Sequence, residues 1–129
     1  DSWDVKQQFV QQIQFTNKKS IEFIDKILEN EKRPIIIIQS DHGSAFGINL
    51  QDPTDDDVFQ RLSNFNAIYF PDEKYREMLT YDRTNVNTFR IVFNTYFGSD
   101  YEMLDDQTYW GLSIKKPFWF KDVTSILLN

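Results

Sequence analysis

Four consecutive isoleucines at positions 35–38 constrain the fold of this chain more than any other feature of its sequence. β-branched side chains favour strands, and an unbroken apolar run leaves neither face of the strand polar. Such a strand is covered on both faces, as in a parallel sheet flanked by helices. Residues 4–31 come before it and repeat apolar side chains at helical spacing, and Pro34 marks the end of that helix. A long helix followed by a doubly covered strand predicts an α/β fold.

Six further segments are predicted along the rest of the chain. In order, they are a helix capped by Thr54, a strand at 66–70, a short helix capped by Asp72, a helix from Thr84 or Asn85 to Phe97 that Gly98 ends, a loop at 101–111 and an aromatic edge strand at 118–120. No repeat or linker interrupts this order, so residues 1–129 are predicted to form a single unit.

The number of strands indicates an incomplete sheet. About three strands are predicted, whereas sheets average about five or six strands, and the isoleucine strand needs a neighbour on each side. We therefore expect part of a larger α/β/α domain, or a chain that completes its sheet as a homodimer through the open edges. The chain also begins at Asp1 rather than methionine, which favours a piece cut from a longer protein.

The composition excludes several classes of function. A net charge of −6 argues against binding to nucleic acid or to an anionic membrane surface. No segment of the sequence approaches the roughly 20 apolar residues of a membrane span. The sequence contains no cysteine, which excludes a disulfide, a thiolate metal site and a cysteine nucleophile within these residues.

The segment Ser40-Asp41-His42-Gly43 directly follows the isoleucine strand and carries the clearest chemistry. Ligands of open α/β sheets bind beyond the carboxyl ends of strands, and a carboxylate beside a neutral imidazole can coordinate one cation. Adjacent strand residues point to opposite faces, so Asp41 and His42 can share an ion only if the strand ends before them. Gly43 permits a sharp departure of the chain. The alternative is that Asp41 caps a turn and His42 merely packs.

Three segments in this order resemble one enzyme superfamily. Residues 34–43, PIIIIQSDHG, resemble the hydrophobic strand and Ser-Asp-His-Gly turn of the alkaline phosphatase and sulfatase superfamily, in particular its sulfatase-like, phosphoglycerol-transferase-like branch. Residues 61–71, RLSNFNAIYFP, and 85–98, NVNTFRIVFNTYFG, are similar to later segments of such proteins. The resemblance covers roughly residues 5–124.

This resemblance implies the C-terminal part of a catalytic domain that acts on sulfate or phosphate esters, with a helix-flanked sheet and a metal centre at the strand ends. Asp41 and His42 would be ligands of Mn²⁺, Zn²⁺, Ca²⁺ or Mg²⁺. The superfamily also uses an earlier acidic ligand and a Thr, Ser or formylglycine nucleophile, and neither has a counterpart in this sequence. Catalytic and substrate-binding residues are therefore unassigned, and the chain alone is expected to be inactive. An extracytoplasmic, membrane-anchored location is implied for the full-length protein.

Other polar and aromatic groups have simpler interpretations. Residues 55–57 are three aspartates that lack the spacing of a calcium loop and are predicted to begin a helix. Arg61 and Arg90 are expected to be surface or carboxylate-paired arginines rather than anion-binding groups. The aromatic residues at 109–110 and 118–120 are expected to fill a core or cover a sheet edge rather than to stack on a sugar.

Two rival functions stay open on the sequence. A non-catalytic binding or self-assembly module would use the aromatic surfaces to bind a partner or a second copy. A regulatory domain of the flavodoxin-like kind fits the alternating elements, but three strands and the lack of a second acidic pocket count against it.

Overall fold

The computed structural model describes residues 4–79, 84–111, 115 and 117–127. It shows a mixed α/β chain with two small two-stranded antiparallel sheets. The chain divides into two compact units, Asp1–Ile36 and Ile37–Asn129. The first unit holds the long N-terminal helix, and the second holds the other helices and nearly all of the strand residues.

Helix α1 spans Val5–Leu28, as the helical spacing of its apolar residues predicts. The Asp4 side chain caps it by accepting a hydrogen bond from the backbone N–H of Gln7 at 3.1 Å. All 24 residues of α1 are described and none of them is buried; Phe23, for example, is 66% exposed. The helix therefore forms, but it places no side chain in a core.

Strand β1, Ile36–Gln39, pairs with β2, Asn66–Tyr69. The four residues of β1 are all half-buried, and β2 is its one neighbour among the described residues. The expectation of a parallel sheet that covers both faces of β1 is therefore not met in this chain, because a two-stranded antiparallel sheet leaves one edge and part of each face open. At the end of β1, the side-chain amide of Gln39 donates to Asn66 Oδ1 and to Thr88 Oγ1, each at 3.1 Å.

Helix α2, Asp55–Leu62, begins as predicted at Thr54. Thr54 Oγ1 accepts from the backbone N–H of Asp57, and the Asp57 carboxylate accepts from the backbone N–H of Thr54, which together form a capping box. The inward face of α2 carries Val58, which packs in a cluster of buried residues with Trp110 and Val123. This cluster is the core that α2 shares with the C-terminal elements.

Helix α3, Thr88–Tyr96, follows a 3₁₀ turn at Asn85–Asn87, so the predicted helix from Thr84 or Asn85 starts with a tighter turn. Gly98 ends it in the left-handed conformation at φ 67°, as predicted, and the backbone N–H of Ser99 donates to Phe93 O at 3.2 Å. The short helix predicted after Asp72 is a 3₁₀ helix, Glu73–Met78, without a side-chain cap.

The C-terminal sheet corrects two predictions. Residues 109–111 of the predicted loop form strand β3, Tyr109–Gly111, and the predicted strand at 118–120 is displaced to β4, Phe120–Asp122. The two strands are antiparallel, and Trp110 lies opposite Lys121. Phe118 lies in a turn and is 87% exposed, whereas Trp110 is buried.

The chain closes with the short helix α4, Thr124–Leu127, whose Ile126 packs against the core cluster of α2. Across the described ranges, the buried hydrophobic residues are Val58, Phe70, Ile91, Val92, Trp110 and Val123. None of the described helices is long and apolar enough to cross a membrane.

Candidate metal site

Asp41 and His42 lie in a turn just beyond the carboxyl end of β1, which ends at Gln39. The two side chains approach each other, with 3.4 Å between His42 Nε2 and Asp41 Oδ2. The Asp41 side chain is 86% exposed and that of His42 is 43% exposed. Both donors therefore face solvent on the same side of the chain, which the end of the strand permits.

Ser40 fastens the start of this turn to the segment that leads into β2. Its backbone N–H donates to Phe65 O at 2.9 Å, and its hydroxyl accepts from the backbone N–H of Phe65 at 2.7 Å. Its carbonyl oxygen accepts from Asn64 Nδ2 at 3.1 Å. Three hydrogen bonds to two neighbouring residues hold Ser40 in place, so the position of Asp41 is determined by the β1–β2 connection.

Gly43 fastens the other end of the turn to the C-terminal end of α2. Its backbone N–H donates to Arg61 O at 2.7 Å. A Cβ at this position would lie 2.2 Å from Gln60 O and 2.7 Å from Ser63 O. The sequence suggested that Gly43 permits a sharp departure of the chain. The structure adds a reason for glycine at this position, which is the close approach of backbone carbonyls.

Arg61, which we expected to be a surface or carboxylate-paired arginine, lies against the candidate site. Its Nη1 is 2.7 Å from His42 Nδ1 and 3.3 Å from Gly43 O. The same ring nitrogen of His42 is 2.8 Å from Gly43 O. The sequence signal for this residue was its place in the 61–71 segment, but its separation from His42 by 19 positions gave no reason to pair the two side chains.

The spacing of the two donors suits a shared cation. Donors about 2.1 Å from a tetrahedral ion lie about 3.4 Å apart, and those of an octahedral ion about 3 Å. The observed 3.4 Å between His42 Nε2 and Asp41 Oδ2 fits two adjacent coordination positions. Across the described residues, however, no group of three or more His, Cys, Asp or Glu side chains could hold a metal ion. The described chain thus offers two ligands, and further ones would have to come from elsewhere.

The other predicted groups lie outside this turn. The three aspartates at 55–57 occupy the first turn of α2, as the capping interpretation predicts. Arg90 donates to the backbone carbonyls of Glu102 and Val86. Trp110 is buried in the core, whereas Tyr109, Phe118, Trp119 and Phe120 are all at least half exposed.

Comparison with models of protein families, with curated proteins and with solved structures finds no match to this chain.

Proposed function

We propose that this chain contributes Asp41 and His42 to the divalent-metal centre of a sulfatase-like hydrolase or phosphotransferase that acts on sulfate or phosphate esters. The observation that carries the proposal is the 3.4 Å separation of His42 Nε2 and Asp41 Oδ2 at the end of β1. The resemblance of residues 34–43 to the Ser-Asp-His-Gly turn of that superfamily supplies the reaction class. The proposal extends to Mn²⁺, Zn²⁺, Ca²⁺ or Mg²⁺ as the ion.

In this proposal the turn positions the ligands before the cation arrives. Ser40 and Gly43 are held by hydrogen bonds to residues 61–65, so Asp41 and His42 have little backbone freedom to lose on binding. When bound, the cation would stabilise negative charge on the ester group. Nucleophile and substrate-binding residues are not assigned to this chain, and we propose that it is inactive alone.

The proposal includes a larger domain around this chain, of the alkaline-phosphatase-like α/β/α type. Its support is the amount of apolar surface that stays open on the described residues. β1 is half-buried although four isoleucines precede its end, and every residue of α1 is at least partly exposed. Apolar faces of this extent are normally covered by other elements, and the rest of a larger domain would supply those elements.

A Zn²⁺ titration by calorimetry tests the metal proposal on the chain itself. We expect Asp41→Asn and His42→Gln each to weaken binding by more than about tenfold, because each removes one of two ligands. Asp56→Asn is the matched control, since Asp56 is an acid of the first turn of α2 that belongs to neither the turn nor the capping box. Equal affinity of all three variants and the wild type would rule the site out.

An assay with an aryl sulfate and an aryl phosphate, in the presence of Mn²⁺ or Zn²⁺, tests whether the chain is incomplete. We expect no turnover above that of the free metal ion. Robust turnover that is lost on substitution of one of the serines or threonines of this chain would show that the nucleophile is present here, and it would overturn the proposal of inactivity.

A second candidate function is a non-catalytic binding or self-assembly module. The observation that favours it is the exposure of apolar side chains on α1 and around Phe118. Size-exclusion chromatography with light scattering separates the two candidates. A tight dimer that ignores Mn²⁺ and is unchanged by Asp41→Ala or His42→Ala favours the module, whereas a metal-binding monomer favours the enzyme fragment.

A further inference from the structure

We infer that Arg61 is a positioning residue that keeps the proton of the neutral His42 ring on Nε2, so that a cation must displace the Arg61 contact before His42 can bind it. The inference deepens the proposed function and rests on it for its consequence, but its first part concerns the metal-free chain. It assigns Arg61 a role in the selection of the ring tautomer rather than in the binding of substrate.

The contacts around the ring decide between the two neutral tautomers. His42 Nδ1 has Arg61 Nη1 at 2.7 Å and Gly43 O at 2.8 Å. The first neighbour is a charged donor and the second is an acceptor, so Nδ1 cannot satisfy both. At the other side of the ring, Nε2 faces the Asp41 carboxylate at 3.4 Å.

With the proton on Nε2, most of these contacts are attractive. Arg61 Nη1 donates one hydrogen to the Nδ1 lone pair and its second to Gly43 O, which is 3.3 Å away. The Nε2–H group then points its positive end toward the carboxylate of Asp41. The one unfavourable contact is between the Nδ1 lone pair and Gly43 O, which are both acceptors.

With the proton on Nδ1, the balance reverses. Nδ1–H donates to Gly43 O, but it also meets the N–H groups of a charged guanidinium at 2.7 Å. The Nε2 lone pair then faces a charged carboxylate oxygen without a proton between them. Two repulsive contacts that involve full charges outweigh one between neutral acceptors. Arg61 therefore selects the Nε2–H tautomer.

A cation shared with Asp41 needs the Nε2 lone pair. Metal-bound histidines normally donate the other ring N–H to a carbonyl or carboxylate, and Gly43 O is already in place for this role at 2.8 Å from Nδ1. The proton must move to Nδ1, and the Arg61 contact with Nδ1 must break. Arg61 and the cation therefore favour different tautomers of the His42 ring. The hydrogen bond from Arg61 to Gly43 O is compatible with either tautomer.

Long-range ¹H–¹⁵N spectra of the imidazole test the first part directly, since His42 is the sole histidine of the sequence. The spectra are recorded without metal at a pH where the ring is neutral. We expect the Nε2–H pattern in the wild type and in Arg61→Lys, and a shift toward the Nδ1–H pattern in Arg61→Met, where Gly43 O is the remaining partner of Nδ1. Arg90→Met is the control arginine. An unchanged tautomer in Arg61→Met overturns the inference.

Zn²⁺ affinity of the same variants tests the consequence. We expect Arg61→Met to bind Zn²⁺ about tenfold more tightly than the wild type, the size of effect typical of groups behind a metal ligand. Arg61→Lys, which keeps the charge and a donor, should stay near the wild-type value. Weaker binding by Arg61→Met would show that Arg61 supports the metal-binding ring and would contradict the inference.

The two proposals fail in different ways. If Arg61→Met shifts the tautomer while no variant binds Zn²⁺, the role of Arg61 stands and the proposed metal site fails. If Zn²⁺ binds through Asp41 and His42 but the tautomer ignores Arg61, the site stands and the role of Arg61 fails. Far-UV circular dichroism and the Arg61→Gln variant separate either result from a loss of fold.

Discussion

Two segments without regular structure are held in different ways in this molecule. The turn of residues 40–43 is held at Ser40 by hydrogen bonds to residues 64–65 and at Gly43 by close backbone approaches to the end of α2. The extended segment of residues 101–106 is fixed by side chains of α3 and of the residues before it.

Two asparagine side chains, seven residues apart in the chain, form hydrogen bonds to the backbone of the extended segment. Asn87 donates to Leu104 O and accepts from the Leu104 backbone N–H, and Asn94 makes the same pair of bonds with Tyr101. Seven residues of helix rise about 10.5 Å, and three extended residues span about 10 Å. The two spacings match, so each asparagine meets one backbone unit as a neighbouring strand would.

The difference between the two segments lies in the fate of their polar side chains. Asp106 accepts hydrogen bonds from the backbone N–H and the hydroxyl of Thr84, so its carboxylate helps to hold the extended segment in place. In the turn of residues 40–43, the Asp41 carboxylate lies 3.4 Å from His42 Nε2 and its side chain is 86% exposed. A carboxylate this exposed is accessible to a ligand.

The largest expected effect is that of Gly43→Ala. The new Cβ would lie 2.2 Å from Gln60 O and 2.7 Å from Ser63 O, and backbone carbonyls cannot rotate away as a side chain can. We expect a loss of about 3 kcal/mol in the free energy of unfolding, measured by urea denaturation. Gly111→Ala is the matched control, because a Cβ there meets nothing within 4 Å. Similar stability of both variants would break the account of the turn.

The next effect is that of Asn87→Ala, which tests the extended segment. Asn87 is 1% exposed, and its removal leaves the N–H and C=O groups of Leu104 without their partners. We expect a loss of about 2 kcal/mol in the free energy of unfolding. Asn94→Ala removes the same pair of bonds at the exposed end and should cost about 1 kcal/mol. Equal losses in the two variants would mean that the burial of Asn87 adds nothing to the stability that its hydrogen bonds provide.

We expect a smaller effect on stability from Thr54→Ala. Thr54 caps the N-terminal end of α2, whereas Gly43 contacts the C-terminal end of this helix. The substitution removes the hydroxyl that accepts from the Asp57 backbone N–H and should lower the free energy of unfolding by about 1 kcal/mol. If α2 holds the turn in place, hydrogen exchange of the Gly43 amide should accelerate in this variant, while that of the Leu104 amide stays unchanged. Equal acceleration at both residues would indicate that the turn of residues 40–43 and the extended segment are not stabilised independently.

The smallest expected effect is that of Asp122 on stability at acidic pH. Hydrogen bonds from the Thr124 side chain and then from its backbone N–H lower the pKa of Asp122 below its ordinary value of 3.8. A lowered folded-state pKa adds stability that is present above pH 3.8 and is lost as the pH falls through the folded value. The urea midpoint of Asp122→Asn should therefore fall less than that of the wild type as the pH is lowered from about 5 to about 3. Identical slopes would contradict this.

Sequence patterns predicted the parts of this fold that depend on local rules. The helical spacing in α1, the cap at Thr54 and the stop at Gly98 each follow from the chemistry of a few neighbouring residues. The sheet pairings, the seat of Gly43 and the contact between Arg61 and His42 join residues far apart in the chain. The geometry of these contacts depends on how distant segments of the chain pack together, which the spacing of neighbouring residues does not reveal.

The candidate site divides in the same way. The residue types of Asp41 and His42 and their place after a strand were visible in the sequence. The roles of Asn87, Arg90 and Asn94 were not visible, because these side chains donate to backbone carbonyls of residues 101–104, which the sequence presented as part of a loop. An exposed face and a face that holds another segment have the same polar pattern.

Site-resolved Mn²⁺ broadening of the amide and imidazole signals would reveal whether Asp41 and His42 bind one divalent cation together, as we propose. Paramagnetic broadening falls steeply with distance from the ion, so the first signals lost at low Mn²⁺ mark its location. We expect the signals of residues 40–43 and of the His42 ring to broaden first, and we expect Asp41→Asn to remove this effect. Earlier broadening at the aspartates of 55–57 or 105–106, with the His42 ring unaffected, would contradict it.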